Sequence, residues 1–230
     1  MIAIVGAMEE EVAALKPYIE NQTTTTLFDK PVVIGTIAAK DVILLQGGIG
    51  KVNTAICVTL LFEKYPNIEY LINIGSAGGL NLDQNVGDVI IGSQVIHHDV
   101  DVRAFNYPLG QVPQSPLAFE ADRELVEKTK QVLADENIQA KVGLIVSGDQ
   151  FIFEQNQVDH IQNHFAAALC AEMEAATIGH VCHNFNKKFI ITRSLSDVFN
   201  KGNSSIQFDE YLALASQASA KMCVKLIQRI

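Results

Sequence analysis

The sequence has no tryptophan, only four cysteines and little positive charge. The cysteines are scattered through apolar segments without a C-x-x-C pair, so we expect reduced thiols, as in a cytoplasmic protein, and no disulfide framework. Lysine and arginine total 17 against 26 aspartate and glutamate, which gives a net charge of −9. Such an acidic chain repels nucleic acid and anionic lipid, and neither is expected as a partner.

Long apolar runs are also missing. No stretch approaches the roughly 18 residues that a membrane helix needs. The apolar start, residues 1–5, is too short for the hydrophobic region of a signal peptide, so we expect neither a membrane span nor a leader. The 230 residues, 48% of them hydrophobic, are enough for one sizeable core. We therefore predict a single domain over residues 1–230.

Segments with strand and helix character alternate along the chain. Strands are predicted at residues 1–6, 25–28, 32–38, 42–46, 70–75, 88–97, 141–147 and 188–195. Helices are predicted at residues 9–20, 52–65, 122–135, 154–165, 173–184 and 209–228. Continuous valine and isoleucine runs indicate strands that are buried on both faces. The pattern predicts a three-layer α/β sandwich, with a mixed central sheet flanked by helices on both faces and an antiparallel part within residues 25–46.

Three glutamates occupy the first turn of the first predicted helix, directly after a strand. Ligands of α/β sheets bind at the carboxyl ends of strands. At about 100° per residue, Glu10 points away from the apolar stripe of this helix, whereas Glu9 and Glu11 flank it, Glu11 slightly closer. Acids in a first turn also complement the helix dipole. The spacing therefore excludes only Glu10 and leaves Glu9 and Glu11 as candidates for a functional carboxylate.

Glu174 gives a sharper signal. It precedes apolar residues at 178, 181 and 185, the i+4, i+7 and i+11 spacing of one helix face, while Glu172 is expected to project elsewhere. A carboxylate that faces a core needs hydroxyl or cationic partners. This position therefore favours a functional role for Glu174.

Asp197 follows the predicted strand at residues 188–195. An aspartate that caps a helix or forms a turn is an equally open interpretation of that position. Together, Glu174, Asp197 and one glutamate of the first cluster arrive from three distant segments at the predicted ligand edge. Their convergence indicates acid/base chemistry on a small polar substrate.

Other motifs are incomplete. The segment GGIGK at 47–51 is like a phosphate loop, but Val52 stands where Ser or Thr would bind magnesium. The histidines at 97–98, 180 and 183 lack the remaining ligands of a metal site. Ser76 lacks the G-x-S-x-G elbow of a serine hydrolase. We therefore predict neither a metal nor a cofactor.

Six motifs occur together in a fixed order: GAMEEEV at 6–12, GGIGKVN at 47–53, NIGSAGG at 73–79, SGD at 147–149, EMEA at 172–175 and RSLSD at 193–197. As a set, they closely resemble the 5′-methylthioadenosine/S-adenosylhomocysteine nucleosidases of the purine nucleoside phosphorylase superfamily, from residue 1 to the final helix. The resemblance implies hydrolysis of a ribosyl–adenine bond to adenine and a 5-thio-substituted ribose, in methionine salvage and removal of methyl-cycle by-products. It also implies a nucleoside phosphorylase-like domain and 5′-deoxyadenosine as a further substrate.

The same resemblance assigns roles to individual residues. Glu11 matches the carboxylate that activates water, and Asp197 matches the acid that protonates adenine N7. The positions that match substrate-binding residues are Glu174 and Met173 for the ribose, Phe151 and Ile152 for the purine, Met8, Ile49 and Phe208 for the 5′ group, and Ser76, Gly78, Arg193 and Ser196 around them. The resemblance also implies a homodimer in which Phe105 and Pro113 reach into the partner's site.

Two alternatives stay open at this point. A phosphorylase of the same fold would need cations for phosphate, but of four arginines only Arg103 and Arg193 lie near the motifs. The glutamates at the first strand end would also repel phosphate. A non-catalytic nucleoside-binding protein would not require Glu11, Glu174 and Asp197 together.

Overall fold

The computed structural model describes residues 1–199, 201 and 204–230. The strands in this part of the chain are β1 Ile2–Gly6, β2 Glu20–Leu27, β3 Lys30–Ile37, β4 Lys40–Gln46, β5 Tyr70–Asn73, β6 Ser76–Gly79, β7 Val89–His97, β8 Phe119–Glu120, β9 Ala140–Ser147, β10 Ala168–Glu172 and β11 Lys188–Val198. The helices are α1 Glu9–Ala13, α2 Lys51–Lys64, α3 Arg123–Asp135, α4 Gln155–His164, α5 Ala175–Asn184 and α6 Ser204–Arg229. Short 3₁₀ helices cover Lys16–Tyr18 and Arg103–Phe105.

The strands form one mixed sheet in the order β2-β3-β4-β1-β5-β11-β6-β10-β9-β7-β8. At its centre, β1 lies parallel to both β4 and β5, with Ile4 opposite Leu44 and Ile72. β2, β3 and β4 are antiparallel neighbours, which confirms the antiparallel part predicted within residues 25–46. β11 also pairs antiparallel with β7, so β11, β6, β10, β9 and β7 close into a ring.

Helices cover the sheet in two groups. α2 packs against α5, while α6 packs against α1 and α3. The apolar strand residues that the sequence predicts to be buried on both faces are buried: Ile4, Ile72 and Ile190 are fully enclosed between the helical layers. The predicted three-layer α/β sandwich with a mixed central sheet is therefore confirmed.

The first helix is shorter than the predicted range, residues 9–20. α1 ends at Ala13, and a 3₁₀ helix with Pro17 near its start follows at Lys16–Tyr18. Proline lacks the backbone N–H that a continuing α-helix needs. From Glu20 the chain is extended because it pairs with β3, so β2 begins five residues before the strand predicted at 25–28.

Three strands lie where the sequence predicts none. β6 has the sequence SAGG, β8 has two residues, and β10 has the sequence ALCAE. These segments contain none of the β-branched valine, isoleucine or threonine that marks a strand. They are strands because stronger neighbours supply the hydrogen bonds: β6 lies between β11 and β10, and β10 also pairs with β9.

Across residues 1–199, 201 and 204–230, no helix combines the length and the apolar character that crossing a membrane requires. The longest helix, α6, carries charged and polar residues throughout its 26 positions.

Candidate active site

A cavity of about 390 Å³ opens where β1, β4, β9 and β10 end, the edge at which the sequence predicts a ligand. This volume lies within the range of pockets for small organic molecules. Its lining residues are Ala7, Met8, Glu11, Ile49, Ser76, Ala77, Gly78, Gln150, Phe151, Ile152, Ala171, Glu172, Met173, Glu174, Ser196, Asp197 and Phe208. Four carboxylates therefore share one largely apolar cavity, which is the arrangement that shifts proton affinities.

Glu11 is the buried member of the first glutamate cluster. Its side chain is only 3% exposed, whereas Glu9 is exposed and pairs with Lys16 at 3.0 Å. The Glu11 carboxylate accepts hydrogen bonds from three backbone N–H groups, those of Ala7 at 2.7 Å, Met8 at 3.1 Å and Ser76 at 3.2 Å. These bonds tie the carboxylate to the end of β1 and to the start of β6, so its position in the cavity is fixed.

The environment of Glu11 suits a proton acceptor. Burial raises the pKa of Glu11 above its ordinary value of 4.5, while the Arg193 guanidinium and the three N–H groups act in the opposite direction. Gly75 leaves room for this arrangement, because a Cβ at that position would lie 3.1 Å from Glu11 Oε1 and 3.3 Å from Arg193 Nη1. A raised pKa makes a carboxylate a stronger base once it is ionised.

Glu174 is buried and lines the cavity, but it is not on a helix stripe. Glu174 is the N-cap of α5, which begins one residue later. The prediction that Glu174 lies within the helix, on its apolar stripe, is therefore wrong. The Gly50 N–H donates to Glu174 Oε1 at 2.8 Å. Burial, followed by the nearby Glu172 carboxylate, raises the pKa of Glu174.

Glu172 and Arg193 form an ion pair behind the cavity, so the expectation that Glu172 projects elsewhere is wrong. Arg193 Nη2 donates to Glu172 Oε2 at 2.5 Å and to Asn73 Oδ1 at 2.6 Å. Glu172 also accepts the N–H groups of Glu174 and Ala175. The pair therefore anchors the junction of β10 and α5, and Arg193, predicted to bind substrate, supports the floor of the cavity without lining it.

Asp197 lies inside β11, so the turn and helix-cap interpretations of this residue are wrong. Leu195 pairs with Ala77 and Asp197 pairs with Gly78, and this register shift is a β-bulge. A bulge redirects the side chains that follow it. The Asp197 carboxylate is 2% exposed, lines the cavity and accepts the Ser196 hydroxyl at 2.9 Å.

Aromatic and apolar side chains complete the cavity. The Phe151 ring meets the Phe208 ring edge-on, with centroids 6.0 Å apart, and Phe153 stacks behind Phe151 with centroids 6.5 Å apart.

Phe105 and Pro113 are exposed and lie outside the cavity of their own chain. Gln150 also lines the cavity and was not predicted; its only signal is its position after the SGD motif.

Metal ligands are not assembled in the part of the chain that the structure describes, where no group of three or more His, Cys, Asp or Glu side chains is placed to hold an ion. The four carboxylates of the cavity are instead occupied by N–H, hydroxyl and guanidinium donors. The arrangement offers four buried carboxylates and an aromatic wall to a small polar molecule.

A family model described as the phosphorylase superfamily matches residues 1–228. This is the class of protein that the mixed sheet and the carboxylate-lined cavity define. A 5′-methylthioadenosine/S-adenosylhomocysteine nucleosidase from Bacillus cereus is 45% identical over 230 residues, which cover 100% of this chain and 99% of that protein. One from Staphylococcus haemolyticus is 44% identical over 228 residues, 99% of each chain.

Solved structures agree with this result. The nucleosidase from Neisseria meningitidis in complex with methylthio-immucillin-A superposes with a TM-score of 0.95 at 39% identity, covering 100% of this chain and 99% of that one. Within the superfamily, the chain belongs to the 5′-methylthioadenosine/S-adenosylhomocysteine nucleosidase family. The family resemblance of the six motifs is thereby confirmed.

Proposed function

We propose that the protein hydrolyses the N-glycosidic bond of 5′-methylthioadenosine and S-adenosylhomocysteine, releasing adenine and a 5-thio-substituted ribose. The observation that carries the proposal is the convergence of Glu11 and Asp197, both buried, in one cavity of suitable size for a nucleoside. Glycosidic hydrolysis needs such a pair of carboxylates, because a base must activate water and an acid must protonate the leaving group.

The reaction follows from the positions of these groups. Departure of adenine breaks the C1′–N9 bond and builds positive charge on the ribose ring. Asp197 gives its proton to adenine N7, and the neighbouring Ser196 hydroxyl orients that carboxyl. Glu11 takes a proton from the water whose oxygen forms the new bond to C1′. The Glu11 carboxylate lowers the energy of the cationic ribose by its negative charge.

The cavity lining supplies a surface for each part of the substrate. Phe151 and Ile152 pack on the purine, and the Glu174 carboxylate accepts the ribose hydroxyls. Met8, Ile49 and Phe208 form an apolar wall for the 5′-alkylthio group, and all three line the cavity. Aromatic stacking and a few placed polar groups are typical of nucleoside-sized pockets.

Phosphorolysis is disfavoured by the charges around the cavity. Within the described residues, the cavity lining contains no lysine or arginine. The Arg193 guanidinium is held by Glu172 and Asn73, and Arg103 pairs with Asp101 at 2.7 Å. Phosphate would therefore enter a site with four carboxylates and no cation directed towards it.

Adenine release measured with and without phosphate tests this function. We expect adenine from 5′-methylthioadenosine, S-adenosylhomocysteine and 5′-deoxyadenosine at rates that added phosphate leaves unchanged. Strict dependence on phosphate, with a sugar 1-phosphate as product, would show a phosphorylase. Tight binding of these nucleosides without any adenine release would show a binding protein.

A homodimer is the second part of the proposal, and an exposed apolar stripe supports it. Val52, Ile56 and Leu60 are spaced four residues apart on α2 and point to solvent, although the opposite face of α2 is buried in the core. Ile49 extends this stripe to the cavity, which it also lines. Exposed apolar patches of this kind mark protein interfaces. A second copy that covers the stripe would reach the cavity mouth, where its Phe105, 76% exposed in the free chain, and its Pro113 complete the site.

A mixed dimer tests the contribution of Phe105. Phe105→Ala should raise the KM about tenfold, because an aromatic contact of roughly 1.5 kcal/mol is lost. Co-expression of Phe105→Ala chains with inactive Glu11→Gln chains should restore normal KM to half of the sites in each mixed dimer, since each Glu11 site then receives an intact Phe105. Activity equal to that of Phe105→Ala alone would show that Phe105 acts within its own chain or not at all.

The cysteines support a reducing, cytoplasmic location. All four, at positions 57, 170, 182 and 223, are described and are buried free thiols. Free thiols persist where the redox environment is reducing.

A further inference from the structure

Three charged side chains join the start of α2 to the segments that follow β7 and β9. Lys51 Nζ pairs with Asp99 Oδ1 at 2.6 Å, and Asp99 Oδ2 accepts the Asp149 N–H at 3.0 Å. The ring is closed by the Lys51 N–H, which donates to Asp149 Oδ1 at 2.8 Å. Lys51 belongs to the GGIGK segment and Asp99 directly follows the histidines at 97–98, two motifs that are incomplete as a phosphate loop and as a metal site. We call Lys51, Asp99 and Asp149 the clamp.

The clamp lies outside the cavity, but both loops that it joins line the cavity. Ile49 and Gly50 precede Lys51, and residues 150–152 follow Asp149. Gly50 has a φ of +89°, and a Cβ there would lie 3.1 Å from Asp149 Oδ1, so the two loops touch without space for a side chain. The Gly50 N–H donates to Glu174 Oε1 at 2.8 Å. Lys51 is therefore connected to Glu174 through the amide of the adjacent Gly50.

Charge makes Asp99 the centre of the clamp. It is the one member that holds both loops through its own carboxylate, with one oxygen on each. The Lys51 and Asp99 side chains are 20% and 22% exposed, so water screens their attraction only in part. Partial burial acts to raise the pKa of Asp99, but the Lys51 ammonium and the Asp149 N–H outweigh it and hold that pKa below its ordinary value. Asp99 is therefore ionised at neutral pH.

We propose that Asp99 is a positioning residue for substrate binding: through Lys51 and Asp149 it sets the distance between the two cavity loops and fixes the carboxylate of Glu174. The inference rests on the function proposed above. Glu11 and Asp197 are held by other contacts, the amides around β1 and β6 and the strand β11. Loosening the clamp therefore disturbs the surfaces that bind ribose and purine and spares the two groups that transfer protons.

Asp99→Asn tests the proposal because it keeps the size of the side chain and removes the charge. We expect KM for 5′-methylthioadenosine to rise about tenfold while kcat changes less than about threefold. The substitution displaces surfaces that bind the substrate, whereas the groups that carry out the chemical step keep their positions. Lys51→Gln should have a similar effect, and the double variant should be no worse than either single one, because both remove the same contact. Lys51→Arg, which keeps the charge, should retain most of the binding.

Asp83→Asn is the control, since Asp83 also forms an aspartate–lysine ion pair, with Lys141 at 2.5 Å, but on the exposed surface and outside the cavity lining. It should leave both constants unchanged. A normal KM in Asp99→Asn, or a fall in thermal stability without a change in KM, would overturn the inference while leaving the nucleosidase function intact. If the unaltered protein releases no adenine, the proposed function fails, and binding of methylthio-immucillin-A by calorimetry then decides: equal affinity in the unaltered protein and Asp99→Asn would overturn the inference.

Discussion

Glu11→Gln is expected to lower the kcat for adenine release by about 10²–10⁴-fold, the usual contribution of a positioned general base. Glutamine keeps the size of the side chain but does not accept a proton from water at neutral pH. The purine surface around Phe151 is untouched, so adenine itself should bind within about threefold of its normal affinity, a change below roughly 0.7 kcal/mol. Steady-state adenine release and calorimetric titration with adenine measure the two quantities. Turnover above a tenth of the normal rate would remove Glu11 from the proposed mechanism.

The pH profile gives an independent check on this role. Burial raises the pKa of Glu11 above 4.5, so kcat/KM should fall as the pH drops through that raised value and the carboxylate becomes protonated. Stability follows the opposite direction. A pKa raised in the folded state contributes stability that is complete below the unfolded value and is lost as the pH rises through the folded value. The stability of the normal protein relative to Glu11→Gln should therefore decrease from acid to neutral pH.

Asp197→Asn serves as the comparison for Glu11→Gln. It should show a similar loss with adenine nucleosides, because the leaving group then departs without a proton. A 5-thioribosyl substrate that carries p-nitrophenolate, which leaves without protonation, should restore turnover to Asp197→Asn and not to Glu11→Gln. Near-normal adenine release by Asp197→Asn would show that another group is the acid.

Arg193→Met is expected to destabilise the fold by about 3–5 kcal/mol, which is typical when one partner of a buried ion pair is removed. The Arg193 and Glu172 side chains are 1% and 3% exposed, so the variant leaves Glu172 as a buried charge without its cation. Urea unfolding measures this change. Arg123→Met is the matched control, because Arg123 is almost fully exposed and 4.0 Å from Glu120; it should cost less than about 1 kcal/mol.

The double variant Arg193→Met with Glu172→Gln separates the ion pair from general packing. Removing both charges together should lower the free energy of unfolding by less than the sum of the two single variants.

A second consequence of removing Arg193 concerns the pH dependence of the active site. Burial is the main cause that raises the pKa of Glu11, and Arg193 is the largest opposing influence. In Arg193→Met the acidic limb of the rate profile should therefore move to higher pH. Additive stabilities and an unmoved limb would both contradict this account.

Sequence reasoning identified the cavity edge and most of its carboxylates, but for Glu174 it used the wrong element. Residues 174, 178, 181 and 185 have helical spacing, yet the helix begins at Ala175 and Glu174 is its cap. Spacing alone does not show that a strand, ALCAE, ends at Glu172, two residues before Glu174. Glu172 was missed for the same reason: its burial arises from Arg193, which is 21 residues away in the sequence.

Strands were predicted correctly where their burial requires a characteristic set of apolar residue types. Strands rich in valine and isoleucine, such as β1 and β7, were predicted within one residue of their observed ends. β6 was not predicted, because its small residues make room for the neighbouring strands and for the Asp197 carboxylate, which would lie 3.3 Å from a Cβ at Gly78. Its strand conformation comes from long-range pairing, which a local pattern does not contain.

The hydrogen bonding of β11 has a consequence for how such a protein diversifies. The strand that carries Arg193 and Asp197 is hydrogen-bonded to β5, β6 and β7, and these three partners fix its register. The proposed 5′-group wall comes from other elements: Met8 and Ile49 precede α1 and α2, and Phe208 lies in α6. Substitutions at Ile49 and Phe208 alter the shape of the pocket and leave the strand that carries Asp197, the proposed acid, unchanged. Such a layout allows substrate range to drift by mutation while the bond-breaking step is preserved.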